Sequence, residues 1–512
     1  MLPQNTWHAD GALQALLRSS LQPKTLAWAE PALIEMGRAA AAELADWGDA
    51  CERQPATLRS YDGWGSRIDE VVYPQAWRNI AAVAARTGLV GLPYETESLA
   101  RAGAETRMVQ AALAYLFAPS TATYLCPVAM TDGAARVLAD FGSDQQRGET
   151  LSHLVDRDPE RAWTSGQWMT ERQGGSDVGQ NAVVARPDGE HWRLYGQKFF
   201  CSNIGCQVAL ALARPEGAAG GTRGLALFLV PRDHPEGARN RYRIDRLKDK
   251  LGTRAMATGE VTLDGAYAEL VGGLDRGFAQ MTAMLNITRL HNAVTAAAVM
   301  RRSWMLASAY AARREAFGRK LEQHPLHQEV LREMASQADG ALCLVMRMAQ
   351  LMGKIEASTA GDAERALFRL GIALTKLYTG KQAVAVVSEA IECFGGQGYM
   401  EDTGLPRLLR DAQVLPIWEG TTNVLALDAL RVLRKPEVLE SIDAELTRLD
   451  APDRQCALDL ARQASSDDQE SSERNARRVA YALSESWMDG LLSVSGREGT
   501  GGVPGRSGPG ER

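Results

Sequence analysis

Ile417-Trp418-Glu419-Gly420-Thr421-Thr422-Asn423 is the sharpest chemical segment of this 512-residue chain. It sets one carboxylate between a Trp and a Gly, just before an apolar-periodic helix from Val424 to Leu433. Thr421, Thr422 and Asn423 are good helix N-caps. On spacing alone Glu419 reads first as a surface acid ahead of a capped helix, where the dipole welcomes it. Its company changes that reading. Trp168-Met169-Thr170-Glu171-Arg172-Gln173-Gly174-Gly175-Ser176-Asp177-Val178 combines hydroxyls with paired glycines. Such a loop is either a tight turn or a way to bring backbone N–H groups up to a polar cofactor. In Lys198-Phe199-Phe200-Cys201-Ser202-Asn203-Ile204-Gly205, aromatics abut a Ser that could hydrogen-bond the edge of a ring, although Phe-Phe in a strand also serves as core. Arg313-Arg314-Glu315-Ala316-Phe317-Gly318 ends a helix, where Arg suits the dipole. Paired planar donors also suit Arg to a pyrophosphate. Glu392-Cys393-Phe394-Gly395-Gly396-Gln397-Gly398-Tyr399, followed by Leu405 to Ala412, would let backbone approach an adenosine or merely end a helix.

The elements that must position these residues fall into three blocks. Residues 30–150 read as Ala-rich helices, as in Ala32 to Leu44, Ile80 to Ala85 and Val109 to Phe117. From about 160 to 270 the period shortens to strands. Ala182 to Ala185, a turn at Pro187-Asp188-Gly189 and Trp192 to Tyr195 form a hairpin signature, and Val208 to Ala213, Leu225 to Val230, Tyr242 to Leu247 and Glu260 to Leu263 are further strands. Long helical patterns return over Thr288 to Ala316 and Glu364 to Cys393, the second broken by Gly395-Gly396-Gln397-Gly398. The fold class is α+β and multidomain. The expected domains are an N-terminal helical domain (1–155), a middle β domain (156–272), a C-terminal helical bundle (273–435), a helical extension (436–490) and a disordered tail (491–512).

Composition narrows the class. A net charge of −6 gives the chain no global reason to sit on nucleic acid. No apolar run is long enough for a membrane span, and the first residues do not form a signal peptide, so a cytoplasmic location is expected. The seven cysteines are scattered, with no Cys-x-x-Cys and no His beside Cys201 and Cys206, so reduced thiols and no metal site are expected.

In this order and spacing, the five segments resemble the acyl-CoA dehydrogenase superfamily over roughly residues 60 to 435. That family shows a Thr-Glu-x-x-x-Gly-Ser-Asp loop, an Arg-x-x-Phe-Gly element, a Gly-Gly-x-Gly turn and an Arg-Asp…(Tyr/Trp)-Glu-Gly-Thr close. Tyr61-Asp62-Gly63-Trp64-Gly65-Ser66-Arg67, Leu125-Cys126-Pro127, Arg246-Leu247-Lys248-Asp249-Lys250-Leu251-Gly252 and Trp418 resemble its AidB-type, adaptive-response branch. Phe199-Phe200-x-Ser202 stands where most members have Trp-Ile-Thr.

The resemblance implies FAD as cofactor and an acyl-CoA thioester as substrate. Glu419 matches the base that takes the α-proton while the β-hydrogen leaves as hydride to the flavin. In the family, two hydrogen bonds polarise the thioester carbonyl, one from the base's own backbone N–H and one from a flavin ribityl hydroxyl. Trp418 beside Glu419 would desolvate the carboxylate and raise its basicity. By position, Met169, Thr170, Gly174, Gly175, Ser176, Phe200, Cys201 and Ser202 line the flavin, and Trp418, Gly420, Thr421 and Asn423 contact FAD beside the base. Gly395 and Gly396 fall at its adenosine end. Arg314 and Phe317 reach the FAD of a neighbouring subunit, which implies a homotetramer; Ser176 and Arg289 match substrate contacts. An electron-transferring flavoprotein is the expected acceptor. Pro325 stands where many relatives carry a cofactor-binding Gln, so that contact is lost or is remade by Gln323 or Gln328, and Arg172 replaces the usual Pro near the CoA entrance, where it could hold a CoA phosphate or block the channel.

The branch carries an alternative, a flavoprotein that associates with DNA and has little or no dehydrogenase activity. Arg239, Arg241, Arg243, Arg246, Lys248, Lys250 and Arg254 are its local support, against a solvated strand and turn with ordinary pairing. Arg474, Arg477 and Arg478 in the extension are interleaved with acids, which weakens it. A third possibility is a protein that sequesters acyl groups without using Glu419.

Overall fold

The strand from Val208 to Ala213 has no polar face, and its alternation is one of size. Val208, Leu210 and Leu212 belong to one apolar cluster, and Ala209, Ala211 and Ala213 to another. The following strand repeats the split, with Leu227 and Leu229 on one side and Ala226, Phe228 and Val230 on the other. A sheet with both faces apolar must be covered on both. The structure, a computed structural model describing residues 2–495, shows how.

Strands β1 (Thr57–Tyr61) and β2 (Arg67–Val72) form a hairpin, and β3 (Ser165–Trp168) to β9 (Thr258–Val271) form a second, larger sheet. Between them in sequence come β4 (Val184–Asp188), β5 (His191–Ser202), β6 (Val208–Pro215), β7 (Ala226–Pro231) and β8 (Tyr242–Leu247). β4 pairs β5, β5 pairs β9, β9 pairs β7, β7 pairs β6, and β6 returns to β4. Five strands thus close on themselves, with β3 added to β6 and β8 added to β9. The interior takes the small side of β6 together with Trp168, Phe228 and Tyr242, so it is packed rather than open. Against the outer face lie Met130, Ala134, Val137 and Leu138, with Met281, Met284 and Leu285.

Inside this sheet sits a buried ion pair. Lys198, fully buried on β5, donates to Glu171 Oε1 at 2.8 Å and to the Leu212 carbonyl at 2.7 Å. Glu171 also accepts the backbone N–H groups of Ala182 and Val183, at 2.7 and 3.2 Å. Burial opposes charge on both partners; the ammonium and these donors nevertheless hold the Glu171 carboxyl below its ordinary range.

The chain divides into two compact units. One comprises Met1–Glu43, Thr96–Ser120 and Arg289–Arg512; the other comprises Leu44–Glu95 and Thr121–Thr288. The boundaries expected at 155 and 272 both fall inside the barrel-containing unit, and that at 435 falls inside the other. The helical unit is built on the helices Pro325–Glu356, Asp362–Cys393, Thr422–Leu433 and Gln469–Val494. Arg301 ties its first residues down: its Nε lies 3.2 Å from both Asp10 Oδ2 and the Tyr115 hydroxyl, and Asp339 also pairs with it.

Three expectations need adjusting, and the extension is helical as expected. Residues 57–72, expected within the helical block, form the β1–β2 hairpin, whose turn is set by Asp62 accepting the N–H groups of Trp64 and Ser66 at 2.8 and 2.9 Å. The helix expected to reach Ala316 ends at Ala311, and Glu315–Ala316 pairs with Arg319–Lys320 around a turn at Phe317-Gly318, both at positive φ. The extension is three helices, Pro436–Arg448, Arg454–Ser466 and Gln469–Val494, and Trp487 of the last is fully buried. That helix carries order to Val494, past the expected start of the tail; residues 496–512, expected to be disordered, lie outside the described residues.

Because breaking a buried pair strands the remaining charge, Lys198→Met is expected to cost about 3–5 kcal/mol of stability. Guanidinium unfolding of the barrel tryptophans measures it, and adding Glu171→Gln to the same protein is expected to recover part of the loss.

Candidate active site

The acid sits on a turn held from below. After the helix Leu405–Ala412 the chain buries Leu415 and Pro416, exposes Ile417, and brings Trp418 and Glu419 half out of the core. Glu419 has φ +59° and Gly420 φ +105°, two successive left-handed residues. A side chain at Gly420 would come within 2.9 Å of Leu425 Cδ2, so this turn accepts only glycine there. Two cations fix the carbonyls of that turn. Arg289 Nε donates to the Glu419 carbonyl at 3.1 Å, and Lys376 Nζ donates to the Gly420 carbonyl at 2.6 Å. Burial draws both cations below their ordinary values, Lys376 to about 7, while the Glu419 carboxylate pulls each upward.

Arg289 is held in turn by Asp428, 3.7 Å away in the helix that follows the turn. Asp428 also takes a two-pronged contact from Arg369, at 3.0 and 2.7 Å, and one from Arg431. Burial works against the Asp428 carboxylate, but these guanidinium groups hold it below its usual range. One turn beyond Lys376, Gly380 lets the backbone of Leu415 and Pro416 approach to 3.2 Å of where a Cβ would be. The structure therefore places Arg289, expected as a substrate contact, under the acid-bearing turn as one of its supports.

In the other unit, the loop after β3 is pinned by backbone and side-chain bonds. Phe199 N–H donates to the Thr170 carbonyl at 2.9 Å, and Asn181 Nδ2 donates to the Met169 carbonyl at 2.9 Å. Glu171, between Thr170 and Arg172, carries the loop down onto Lys198. Met169, Thr170, Gly174 and Gly175 are half-buried and Ser176 is exposed. Phe200 is half-buried, and the Ser202 hydroxyl lies 3.4 Å from Thr258 Oγ1. Cys201 differs: its side chain is fully buried in the barrel core, burial pushes its thiol up, and only its backbone remains for a cofactor. Arg172 lies over the Phe199 ring at 5.2 Å, with Lys248 Nζ 3.3 Å from the same ring.

The basic stretch is largely neutralised. Arg246 and Lys248 both bond Glu260, drawing its carboxyl down to about 2. Arg239, Arg243 and Arg254 pair with Asp233, Asp245 and Asp249, and Lys250 donates to Thr258 Oγ1.

The remaining positions spread over the helical unit. Arg314 is exposed and has no carboxylate partner among the described residues; Phe317 is 97% exposed at the tip of its turn. Beside Pro325, Gln323 is occupied in accepting from Lys320 N and Gln328 in donating to the Glu322 carbonyl. Gly395 and Gly396 face open space where side chains would be. Asn423 is exposed and accepts from Arg477 Nε of the last extension helix at 2.6 Å. These residues fit FAD: an unpaired guanidinium suits a diphosphate, and bare glycine backbone admits a flat ring. Lys376, Asp428 and Arg369 were not singled out from sequence, and Arg477 was weighed only as part of the basic extension. A lone lysine in the apolar run Leu374-Thr375-Lys376-Leu377, four residues before a glycine, was the available signal.

A closed barrel with its flavin-type loop, and a bundle of long helices carrying an acid on a strained turn, define the acyl-CoA dehydrogenase class of oxidoreductase. Comparison with known proteins agrees. Residues 275–433 match "Acyl-CoA dehydrogenase, C-terminal domain", 166–266 match the middle domain of the same family, and 1–158 match "Adaptive response protein AidB N-terminal domain". The chain is 42% identical to acyl-CoA dehydrogenase family member 11 of Caenorhabditis elegans over 85% of its own length and 71% of that protein's. It is 35% identical to the putative acyl-CoA dehydrogenase AidB of Escherichia coli strain K12, over 84% and 78%. It superposes on Caenorhabditis elegans ACDH-11, solved in complex with C11-CoA, with a TM-score of 0.90 and 37% identity over 96% and 88% of the two chains. The chain belongs to the acyl-CoA dehydrogenase family, in its AidB-type branch, and FAD is the cofactor of that family.

The turn is expected to be intolerant. Gly420→Ala forces a side chain into Leu425 at a left-handed position and moves the acid, lowering the rate of acyl-CoA-dependent flavin reduction by about 100-fold. Stopped-flow absorbance against the unmodified protein checks this.

Proposed function

We propose that this chain oxidises the acyl group of a CoA thioester, with Glu419 taking the α-proton. The observation that carries the reading is the acid's placement on a left-handed turn whose two carbonyls are both held by buried cations. A carboxylate is a weak base toward a C–H bond, so the α-carbon must be acidified. The backbone N–H of Glu419 is the donor assigned to the thioester carbonyl, and the two peptides that follow it, held at their carbonyls by Arg289 and Lys376, would restrain the turn that presents it. When bound, FAD supplies the acceptor for the β-hydrogen and its electron pair. Met169, Thr170, Gly174, Gly175, Ser176, Phe200, Ser202 and the Cys201 backbone are assigned to the flavin, Gly395 and Gly396 to the adenosine, and Trp418, Gly420, Thr421 and Asn423 to the surroundings of the base.

The ACDH-11 complex with C11-CoA supports a thioester substrate. Exposed Arg314 and Phe317 support assembly into a homotetramer, with an electron-transferring flavoprotein as acceptor by family analogy. Seven free cysteines support a reducing, cytoplasmic setting, and no helix among the described residues is long and apolar enough to cross a membrane. The pairing of Arg239, Arg243, Arg246, Lys248 and Arg254 with acids leaves the DNA-binding alternative with little local support.

Anaerobic addition of acyl-CoAs of increasing chain length to the FAD-loaded protein is expected to bleach the flavin for at least one thioester. Glu419→Gln, which keeps size and polarity, is expected to abolish that bleaching while retaining FAD. No bleaching by any thioester, with FAD bound, would overturn the reading.

A further inference from the structure

Lys376 is fully buried in the middle of the helix Asp362–Cys393, flanked by buried Leu374, Leu377 and Ile372. An apolar residue would pack there at no electrostatic cost, so an ammonium needs a compensating partner. Its hydrogen bond is to the Gly420 carbonyl, at 2.6 Å. The neighbouring carbonyl, that of Glu419, takes Arg289 Nε at 3.1 Å. Consecutive carbonyls of a strained turn are thus each held by a cation from a different long helix, and Gly380, four residues past Lys376, lets that helix come close to the segment.

We infer that Lys376 is a positioning residue for Glu419, fixing the turn that aims its carboxylate. The kinetic half of this inference rests on the proposed role of Glu419 as base; the geometric half does not.

The charged groups that face Lys376 are Glu419 from the turn and Arg289 from the helix Gly277–Ala311. Asp428, from the helix Thr422–Leu433, is taken up by Arg289, Arg369 and Arg431. Burial, reinforced by Arg289 and opposed by Glu419, brings the Lys376 ammonium to about 7. The neutral amine still donates to the Gly420 carbonyl, so the turn persists in both forms while the charge beside Glu419 changes. Loss of that proton removes a positive charge from the support of the turn, so α-proton abstraction changes through about pH 7.

The test compares the FAD-loaded wild type with Lys376→Met, Lys376→Gln and Lys376→Arg by two readouts. One is amide hydrogen exchange of the segment 417–422 without substrate; the other is deuterium uptake from D2O at the α-carbon of an acyl-CoA that bleaches the flavin, as a function of pH. Lys376→Met is expected to speed amide exchange of the segment, lower α-exchange by at least about tenfold, and lose the limb near pH 7. Lys376→Gln, an uncharged donor, and Lys376→Arg, a permanently charged one, are expected to restore amide protection without restoring that limb. Unchanged amide protection in Lys376→Met, or a limb near pH 7 that survives in Lys376→Gln, overturns the inference. Should Lys376→Met not fold, Gln and Arg decide through the limb. If wild type bleaches with no acyl-CoA and exchanges no α-proton, the dehydrogenase reading fails, and amide exchange alone decides whether Lys376 holds the turn.

Discussion

An ammonium removed from water can be stable only where a few well-placed acceptors replace its hydration, and that constraint governs the acid-bearing turn. Lys376 finds its acceptor in a backbone carbonyl rather than in a carboxylate. The consequence is geometric, because a carbonyl can be reached only if the peptide plane is turned toward the lysine. Burial of the lysine and the left-handed conformation of Glu419-Gly420 are therefore mutually dependent. Arg289 applies the same condition to the preceding peptide, and Asp428 with Arg369 fixes Arg289.

The barrel unit uses a related device. Lys198 is also buried on a regular element and also reaches a backbone carbonyl, that of Leu212, while its second bond goes to Glu171 in the loop assigned to the flavin. In both units a lysine from a rigid element anchors a segment that is not itself regular structure. Loops carry function most reliably when a scaffold restrains them. In the first case the restraint acts on the acid's own peptide; in the second it acts through an acid one residue from Thr170.

The parts of this protein that were legible in its sequence are those written locally. The hairpin at Pro187-Asp188-Gly189, the strands around Val208 to Ala213 and Leu225 to Val230 and the glycine break after Cys393 each depend on neighbours in the chain, and each is present. The ordered motifs identified Glu419 and its turn for the same reason. Lys376 and Arg289 stand 44 and 130 residues from the carbonyls they hold, and nothing in their own surroundings declares the partner. Arg289 was expected as a substrate contact by position in the resemblance; only geometry shows its guanidinium turned to the backbone. The β1–β2 hairpin was hidden by its half-exposed, charge-rich strands, whose burial alternates too weakly to mark a period.

The closed ring of five strands leaves the sheet with outer margins at β3 and β8. An open margin is an invitation for a strand from another molecule to add itself, and soluble proteins blunt such margins. Here β8 pairs with β9 along one side, while on the other the Ile244 N–H donates to Asp69 Oδ2 at 2.9 Å and the Ile244 carbonyl accepts from Arg67 at 2.8 Å. Side chains of the small hairpin occupy the main-chain groups that an incoming strand would use, and exposed Arg243, Asp245 and Arg246 set charges along the same margin. The run of arginines thus lies on a sheet margin where the main-chain groups of Ile244 are already taken by side chains of the small hairpin.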